Sequence, residues 1–315
     1  MTPGDIHLLG IGGAHVDRRG QVSGTFVPGA SNPGTMREEV GGGVFNALRN
    51  VVRRGARASL LSVRGGDGAG EAVARAIAEA GIEDLSSVFL DRSTPSYTAL
   101  LDREGELLAG LADMALYEMA FPRQLTRSKA RDAIGRAGAI LCDANLPEPA
   151  LAKLADAAAD KPLFAIAISP AKVVRLRPVL PALTCLFLNR REAASLTDGR
   201  ADARAETMVA ELRKAGLERA VVTAGAGAIV AFEGERIHAI DPPEPERIVD
   251  VTGAGDALAG TAILAMLSGV PFPEAVRHGL AAAKLCIESA QSVPDHSEPA
   301  FSDALALVPE MQAMA

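Results

Sequence analysis

Aromatic residues and cysteines are scarce in this chain of 315 residues, which has no tryptophan and only 3% aromatic residues. Its core must therefore be aliphatic, and abundant Ala, Val, Leu and Gly suit parallel strands that are covered by helices on both faces. The three cysteines, Cys142, Cys185 and Cys286, lie far apart in apolar settings. They predict buried thiols, and exclude a disulfide framework or a cysteine metal site.

Long apolar runs and dense basic clusters are also missing. No stretch of about 18 apolar residues occurs, and the N-terminus has no basic segment followed by a long apolar one. The formal net charge is -7, and no Lys/Arg patch forms. These absences argue against a nucleic-acid polymer or a membrane as partner, so we expect a soluble cytoplasmic protein.

Short apolar strands alternate with helical segments along most of the chain, which predicts βαβ units in a single α/β domain over residues 1–315. Two β-rich segments, at about 14–40 and 94–114, interrupt this rhythm and are expected to form a small lid. Three predicted elements bear on the site. They are a helix from Gly41 to Arg54, a strand at Leu163–Ile168 and a helix at Asp256–Leu267.

The segment Asp250–Ala257, which reads Asp-Val-Thr-Gly-Ala-Gly-Asp-Ala, precedes an Ala/Leu-rich helix. The small residues Gly253, Ala254 and Gly255 allow successive backbone amides to face one anion, helped by the positive end of the helix. Asp256 adds a carboxylate beside that anion, as a base for phosphoryl transfer to a hydroxyl requires. A tight turn followed by a routine helix N-terminus remains the alternative on these residues alone.

Polar residues near the N-terminus suggest where the hydroxyl compound binds. Asp17 follows the first strand, where ligands often meet open α/β sheets, and a carboxylate suits two vicinal hydroxyls. Gly41 and Gly42 let a ligand approach the backbone, and the amide of Asn46 follows one turn later. A surface turn and a flexible start of the helix are the corresponding alternatives.

Two further motifs follow predicted strands. Asn189 and Glu192 share one face of an incipient helix, where Glu192 could organise hydrated Mg²⁺ near phosphates. The small residues from Thr223 through Gly225 to Gly227 leave room for phosphates. Helix capping by Asn189 and a plain hairpin turn after Thr223 stay open as alternatives. The classical P-loop pattern is absent, so a nucleotide would need this different arrangement.

Together these motifs resemble the ribokinase-like (PfkB-type) carbohydrate and nucleoside kinases. Asp250–Asp256 resembles the family's C-terminal signature, Gly41–Gly42 with Asn46 its N-terminal signature, and Asn189–Glu192 its Asn-x-x-Glu motif. The resemblance covers essentially the whole chain. It implies a ribokinase-like three-layer sandwich with a mostly parallel central sheet and a small β-sheet lid.

The resemblance also implies ATP and Mg²⁺ as cofactors and a role for each matched residue. Asp256 would be the base, with Gly253, Ala254 and Gly255 as the anion hole. Asn189, Thr223, Gly225 and Gly227 would contact the nucleotide, Glu192 would hold Mg²⁺ indirectly, and Asp17, Gly41, Gly42, Asn46 and Asn145 would hold the acceptor. Some members bind K⁺ beside the anion hole at the position of Asp250, and K⁺ stays open for this chain.

Within the family, Ser31-Asn32-Pro33-Gly34, the stretch around Asp113 and the stretch around Asn145 are similar to pseudouridine kinases. This similarity implies phosphorylation of the 5′-hydroxyl of pseudouridine, with Ser31, Asn32 and Asp113 in the substrate site. Asn32 and Asp113 are the candidate acceptors for the free N1–H of its base; a turn role for Asn32 and a helix cap for Asp113 are the alternatives.

One difference from pseudouridine kinases leaves other functions open. Phe45 stands where pseudouridine kinases often carry arginine, which favours a kinase for ribose, adenosine or another sugar or nucleoside. A ligand-sensing protein without turnover is the alternative from another class. Lids of this kind often pair between subunits, so the resemblance also implies a homodimer through the lid.

Overall fold

The computed structural model describes residues 2–314, so Met1 and Ala315, the ends of the predicted domain, lie outside it. Within that range the strands form one large sheet, one four-stranded sheet and one two-stranded ribbon. In chain order the strands are β1 (His7–Ile11), β2 (His15–Val22), β3 (Gly34–Gly41), β4 (Arg57–Leu61), β5 (Val63–Gly65), β6 (Glu83–Asp84), β7 (Ser87–Phe89), β8 (Ser96–Leu101), β9 (Leu107–Asp113), β10 (Ala139–Asp143), β11 (Leu163–Ile166), β12 (Cys185–Asn189), β13 (Arg219–Ala224), β14 (Gly227–Glu233), β15 (Arg236–Ile240) and β16 (Gln312–Ala313).

Helices connect most of the parallel strands. In chain order they are α1 (Gly43–Arg53), α2 (Gly68–Glu79), α3 (Ala115–Gln124), α4 (Ser128–Arg136), α5 (Glu148–Ala157), α6 (Pro170–Val173), α7 (Arg190–Thr197), α8 (Ala205–Lys214), α9 (Ala254–Leu267), α10 (Phe272–Ile287) and α11 (Glu298–Ala306), with 3₁₀ segments at Pro3–Asp5 and Val174–Ala182. No helix in the described part of the chain is both long and apolar enough to span a membrane.

The large sheet runs in the order β16-β15-β14-β13-β12-β11-β10-β1-β4-β6. Strands from β13 to β6 in this order are parallel, and β14, β15 and β16 add an antiparallel edge. Helices cover both faces, since successive strand residues such as Leu8 and Leu9 belong to separate apolar clusters on opposite sides of the sheet. This three-layer arrangement confirms the predicted fold class.

The four-stranded sheet, in the order β3-β2-β8-β9, is called the lid sheet from here on. Its strands come from the two segments that interrupt the βαβ rhythm, and β2 pairs with β8 in parallel. Every residue of β9 is exposed. The lid sheet thus projects from the domain as a thin layer with little core of its own.

Helices α1 and α9 pack backbone to backbone beneath the site. A Cβ atom added at Gly260 of α9 would overlap with the carbonyl oxygen of Ala47 in α1. Helix α9 is almost wholly apolar and buried, so its side chains favour this central position. The close approach brings the first turns of α1 and α9, which carry Asn46 and Asp256, next to each other.

All three of these predicted elements differ from the structure at an end. The first helix begins at Gly43, because Gly41 is the last residue of β3 and Gly42 precedes the helix. The strand predicted to reach Ile168 ends at Ile166, since Ile168 adopts a φ of 72° that cannot continue a strand. The helix predicted from Asp256 begins two residues earlier, at Ala254.

Candidate active site

A cavity of about 310 Å³ lies at the carboxyl ends of the strands from β10 to β13, between the large sheet and the lid sheet. Ligands of open α/β sheets bind at this edge. Polar and small residues line it: His15, Asp17, Gly42, Gly43, Asn46, Asn145, Asn189, Glu192, Thr223, Thr252, Gly255 and Asp256. Half of the site residues predicted from sequence therefore meet in this cavity.

Asp256 lies in the first turn of α9 and is held by one amide. The Nδ2 of Asn46 donates to its Oδ2 at 3.0 Å, and Oδ1 accepts no hydrogen bond within residues 2–314. Burial raises the pKa of Asp256 to about 7; the Asn46 hydrogen bond opposes this rise, while the charges of Asp143, Asp17 and Glu192 add to it. A carboxyl group with this pKa suits a general base near neutral pH.

The predicted anion hole lies at the start of α9. Gly253 adopts a φ of 84°, which glycine tolerates best, and starts α9. The amide of Ala254 donates to the carbonyl of Val251 at 3.3 Å. The amides of Gly253, Gly255 and Asp256 have no acceptor among the described residues, so these three amides are unpaired at the positive end of the helix.

Asp17 stands at the lid side of the cavity. Its Oδ1 lies 3.4 Å from Nε2 of His15, and the other ring nitrogen of His15 lies 3.2 Å from the hydroxyl of Tyr117. A Cβ atom on Gly41 would overlap with Oδ2 of Asp17. Gly41 does not itself line the cavity, and instead leaves room for the Asp17 carboxylate.

Asn145 is held from both ends of its amide. Its Nδ2 donates to Oδ2 of Asp143 at 3.2 Å, and its Oδ1 accepts from Nζ of Lys172 at 2.6 Å. Burial raises the pKa of Asp143, and hydrogen bonds from Gly13 and Asn145 with the charge of Lys172 oppose the rise. The floor of the cavity is thus a rigid polar network.

Asn189 and Glu192 form a capping box at the start of α7. The Oδ1 of Asn189 accepts from the amide of Glu192 at 3.0 Å, while Oε2 of Glu192 accepts from the amide of Asn189 at 2.7 Å. Both side chains also line the cavity. Burial raises the pKa of Glu192 against the hydrogen bonds from Asn189. Asn189 and Glu192 therefore cap α7 and also line the cavity.

A second cavity of about 400 Å³ shares Thr223, Gly255 and Leu258 with the first. Its walls are mostly apolar. They comprise Ile229, Pro242, Pro243, Pro245, Ile248, Val251, Ala254, Leu280, Ala283 and Ile287, with Gly225 and Lys284 among them. Gly227 pairs with Ala224 in the adjoining hairpin and lines neither cavity. The two cavities meet at Gly255, in the first turn of α9. The first holds the carboxylate and amide side chains and is called the polar cavity from here on, although Ile166, Ile168, Phe187, Leu188, Val221 and Leu258 also line it. The second is called the apolar cavity.

Three residues predicted in the substrate site lie elsewhere in this chain. Ser31, Asn32 and Asp113 belong to the lid sheet or its loops, and none of them lines either cavity. The Oδ1 of Asn32 accepts from the amide of Val27 at 2.8 Å, and its Nδ2 donates to the carbonyl of Ala30 at 3.0 Å. Asn32 thus stabilises its own loop, which agrees with the alternative of a turn role for this residue.

Phe45 also points away from the polar cavity. It is buried in a groove between α1 and α2, where the guanidinium of Arg49 lies 5.5 Å from the centre of its ring. Consecutive residues of a helix are rotated by about 100°. Because Asn46 faces the cavity, Phe45 faces the other side and does not contact the acceptor space.

Asp250 is paired with the lid sheet. Nη1 of Arg19 in β2 donates to Oδ2 of Asp250 at 2.7 Å, and Nη2 donates to Oγ1 of Thr252 at 2.6 Å. A single guanidinium therefore links the lid sheet to the loop that carries the anion hole.

His15, Arg19 and Lys172 were not identified from the sequence. His15, Asp17 and Arg19 alternate along β2, and the period-two pattern of a strand would have placed all three on one face. Lys172 lies shortly after the end of β11, at the sheet edge where ligand-facing residues are expected. Its partner Asn145 lies on another loop, so no local pattern linked them.

Comparison with known proteins gives a consistent result. A model of the pfkB family of carbohydrate kinases matches residues 6–298. Pseudouridine kinase of Escherichia coli strain K12 is 30% identical over 276 residues, which cover 86% of this chain and 87% of that protein. The match extends over both cavities and the lid sheet.

Solved structures agree with this fold. A carbohydrate kinase from Agrobacterium tumefaciens has 46% sequence identity and a TM-score of 0.86, covering 98% of this chain and 100% of its own. A ribokinase from Arabidopsis thaliana, solved with ribose and ATP, has a TM-score of 0.83 at 21% identity, covering 97% of this chain and 99% of its own. At that lower identity the likeness concerns the fold alone.

Proposed function

This chain belongs to the pfkB family of carbohydrate kinases, and from that premise we propose that it transfers the γ-phosphoryl group of ATP to the 5′-hydroxyl of pseudouridine. The products are pseudouridine 5′-phosphate and ADP. The observation that carries this proposal is the Asp256 carboxyl, with a pKa of about 7, beside free amides at the start of α9. A base next to an anion hole is the arrangement that phosphoryl transfer to a hydroxyl requires.

The two joined cavities suit the two substrates. The apolar cavity accepts the adenine and ribose of ATP, with the phosphates directed toward Gly255, where the cavities meet. The polar cavity accepts the nucleoside. The Asp17 carboxylate would bind its vicinal hydroxyls, and the unpartnered Oδ1 of Asn46 offers a further acceptor for a hydroxyl.

Asp256 then takes the proton of the attacking hydroxyl. Asn46 fixes the carboxyl through Oδ2, which leaves Oδ1 for the hydroxyl. The amides of Gly253, Gly255 and Asp256 stabilise the charge that develops on the transferred group. Bound Mg²⁺ would neutralise phosphate charge, and Glu192 with Asn189 would hold it through water.

The choice of pseudouridine rests on the 30% identical relative and on the Ser31–Gly34, Asp113 and Asn145 segments. Phe45, the residue that favoured ribose or adenosine, lies outside the polar cavity, so it gives no reason to prefer these acceptors. Neither Asn32 nor Asp113 lines a cavity in this single chain. For either residue to bind the base, the lid sheet would have to contact the nucleoside in a different arrangement.

We also propose that two copies pair through their lid sheets. Met36, Leu107 and Leu111 expose more than half of their surface on this sheet, and exposed apolar patches on a thin sheet favour association.

The decisive experiment measures ATP consumption with pseudouridine, uridine, adenosine and ribose. We expect pseudouridine to have the highest kcat/KM, and Asp256→Asn to lose about 10²- to 10⁴-fold in kcat while still binding the nucleoside. A preference for ribose or adenosine would replace the proposed acceptor with another one of the same family. An Asp256→Asn variant as active as the wild type, or no turnover with any acceptor, would contradict the proposed mechanism.

A further inference from the structure

The side chain of Arg19 joins the lid sheet to the loop that precedes Gly253. It lies on β2 of the lid sheet, two residues after Asp17, and donates to both Asp250 and Thr252 at 2.7 and 2.6 Å. Since residues two apart on a strand share a face, Asp17 and Arg19 point the same way. The strand that would hold the acceptor therefore also holds the loop that precedes the anion hole.

The charge of Asp250 is fully compensated in this arrangement. Its Oδ2 accepts from Arg19, and its Oδ1 accepts from the amide of Thr252 at 2.8 Å. Partial burial would raise the pKa of Asp250, but the hydrogen bonds from Thr252 and the bond and charge of Arg19 outweigh it and hold that pKa below its usual range. The carboxylate is ionised and has a cation of its own.

This arrangement does not fit a K⁺ ion bound by Asp250, which the family resemblance had left open. A K⁺ ion at this carboxylate would lie against the guanidinium of Arg19, and like charges in a partly buried site repel strongly. It would also have to displace the guanidinium of Arg19, which donates one charge-assisted hydrogen bond to Asp250 and a second hydrogen bond to the hydroxyl of Thr252.

We propose that Arg19 is a positioning residue that takes the place of a monovalent cation beside the anion hole, so that phosphoryl transfer by this chain does not depend on K⁺. Arg19 fixes Asp250 and Thr252, and these fix the turn at Gly253 from which the free amides project. Preorganised amides need no rearrangement as charge develops on the phosphoryl group. The inference rests on the proposed kinase function.

The test compares activity in chloride salts of K⁺, Na⁺ and N-methyl-D-glucamine at one ionic strength. We expect wild-type kcat to stay within about twofold across the three salts, because the positive charge beside Asp250 comes from Arg19 and not from a salt cation. The kcat of Arg19→Ala should be about 10- to 100-fold lower than that of the wild type, with a smaller change in KM. This is the usual scale of effect when a charge-assisted contact is lost. Added guanidinium or K⁺ should restore part of the lost kcat, since either can fill the vacated position. Arg19→Lys, which keeps the charge but not the two-bond geometry, should fall between the two.

Arg18→Ala is the matched control. Arg18 neighbours Arg19 on the same strand and pairs with the exposed Glu38 at 2.7 Å, so its loss removes a lid ion pair without touching the loop. It should leave kcat and salt response unchanged. A role of Arg19 in general lid stability would affect both variants alike and would not respond to guanidinium.

Hydrogen exchange of the amides of residues 251–256 gives a measurement that needs no turnover. We expect faster exchange in Arg19→Ala than in Arg18→Ala, and slower exchange again when guanidinium is added. More than about tenfold activation of the wild type by K⁺ would overturn the proposal. So would unchanged exchange in Arg19→Ala. If no acceptor is phosphorylated, the proposed function fails, and the exchange result still decides whether Arg19 orders the loop.

Discussion

Asp256 is the residue in which the demands of folding and of catalysis oppose each other most clearly. Burial favours its neutral form, whereas the Asn46 amide favours the ionised form, and burial outweighs the amide. The same group is ionised in an unfolded chain at neutral pH, where its ordinary pKa is 3.8. The folded protein therefore binds more protons than the unfolded one between these two values, and stability falls as pH rises from about 4 to 7.

This balance predicts opposite pH dependences for activity and stability. The value of kcat should rise about tenfold per pH unit below pH 7 and level off above it, because only the ionised carboxyl accepts a proton. Asp256→Asn should abolish this rise. It should also stabilise the protein by about 1–3 kcal/mol at pH 8, where the buried charge is most costly.

The measurements are a pH series of initial rates and urea unfolding of both proteins at pH 5 and pH 8. The stability difference should shrink at pH 5, where the wild-type carboxyl is already neutral. A flat rate profile from pH 5 to pH 8 in the wild type would contradict the assignment of Asp256 as the base.

At the scale of the elements, the contact between α1 and α9 decides whether Asn46 and Asp256 can meet. Gly260 lies against the backbone of Ala47 without space for a further carbon atom. Both helices begin at the cavity. A shift where they cross would therefore move the first turn of α1 relative to the first turn of α9. The distance of 3.0 Å between the two side chains depends on this contact, which lies about one helical turn after Asp256 and directly after Asn46.

We expect Gly260→Ala to lower the free energy of unfolding by about 1–3 kcal/mol, as overpacking does, despite the higher helix propensity of alanine. It should also reduce kcat, because the base and its amide would separate. Gly135→Ala in α4 is the control, since a Cβ atom there meets nothing within 4 Å; it should be neutral or stabilise by up to about 1 kcal/mol. Equal effects of the two changes in urea unfolding would show that the helix contact is not tight.

At the scale of the whole molecule, a well-packed three-layer domain carries a thin lid sheet. The large sheet is buried on both faces, while β9 is exposed along its whole length. A sheet of this size gains little stability from its own core. Pairing of two lid sheets would cover the exposed leucines and steady the strands that carry Asp17 and Arg19.

We expect the protein to sediment as a dimer and Leu111→Asp to sediment as a monomer, because a charge on the lid sheet would be buried without a partner. Leu90→Asp is the control. Leu90 is 87% exposed, more than the 71% of Leu111, but lies outside the lid sheet. A monomeric wild type, or dissociation by Leu90→Asp as well, would contradict pairing through the lid sheets.

The sequence by itself determined the fold class and the edge of the sheet at which the candidate site lies. Strands that are apolar throughout and alternate with helices leave little choice except a parallel sheet covered on both faces. The carboxyl ends of such strands share one edge, so Asn145, Asn189 and Thr223 had to come close to one another. The anion hole that we propose before α9 followed from small residues at a helix start, a local property that needs no knowledge of the rest of the chain.

Only the tertiary structure decided which groups meet across that edge. The pairing of Arg19 with Asp250 and that of Lys172 with Asn145 join loops that are distant along the chain, and depend on the register and packing of whole elements. The outward direction of Phe45 depends on the rotation of α1 against α9. Local patterns of period two or 3.6 fix the face on which a side chain lies, but the partner that it meets there is set by how the faces are assembled.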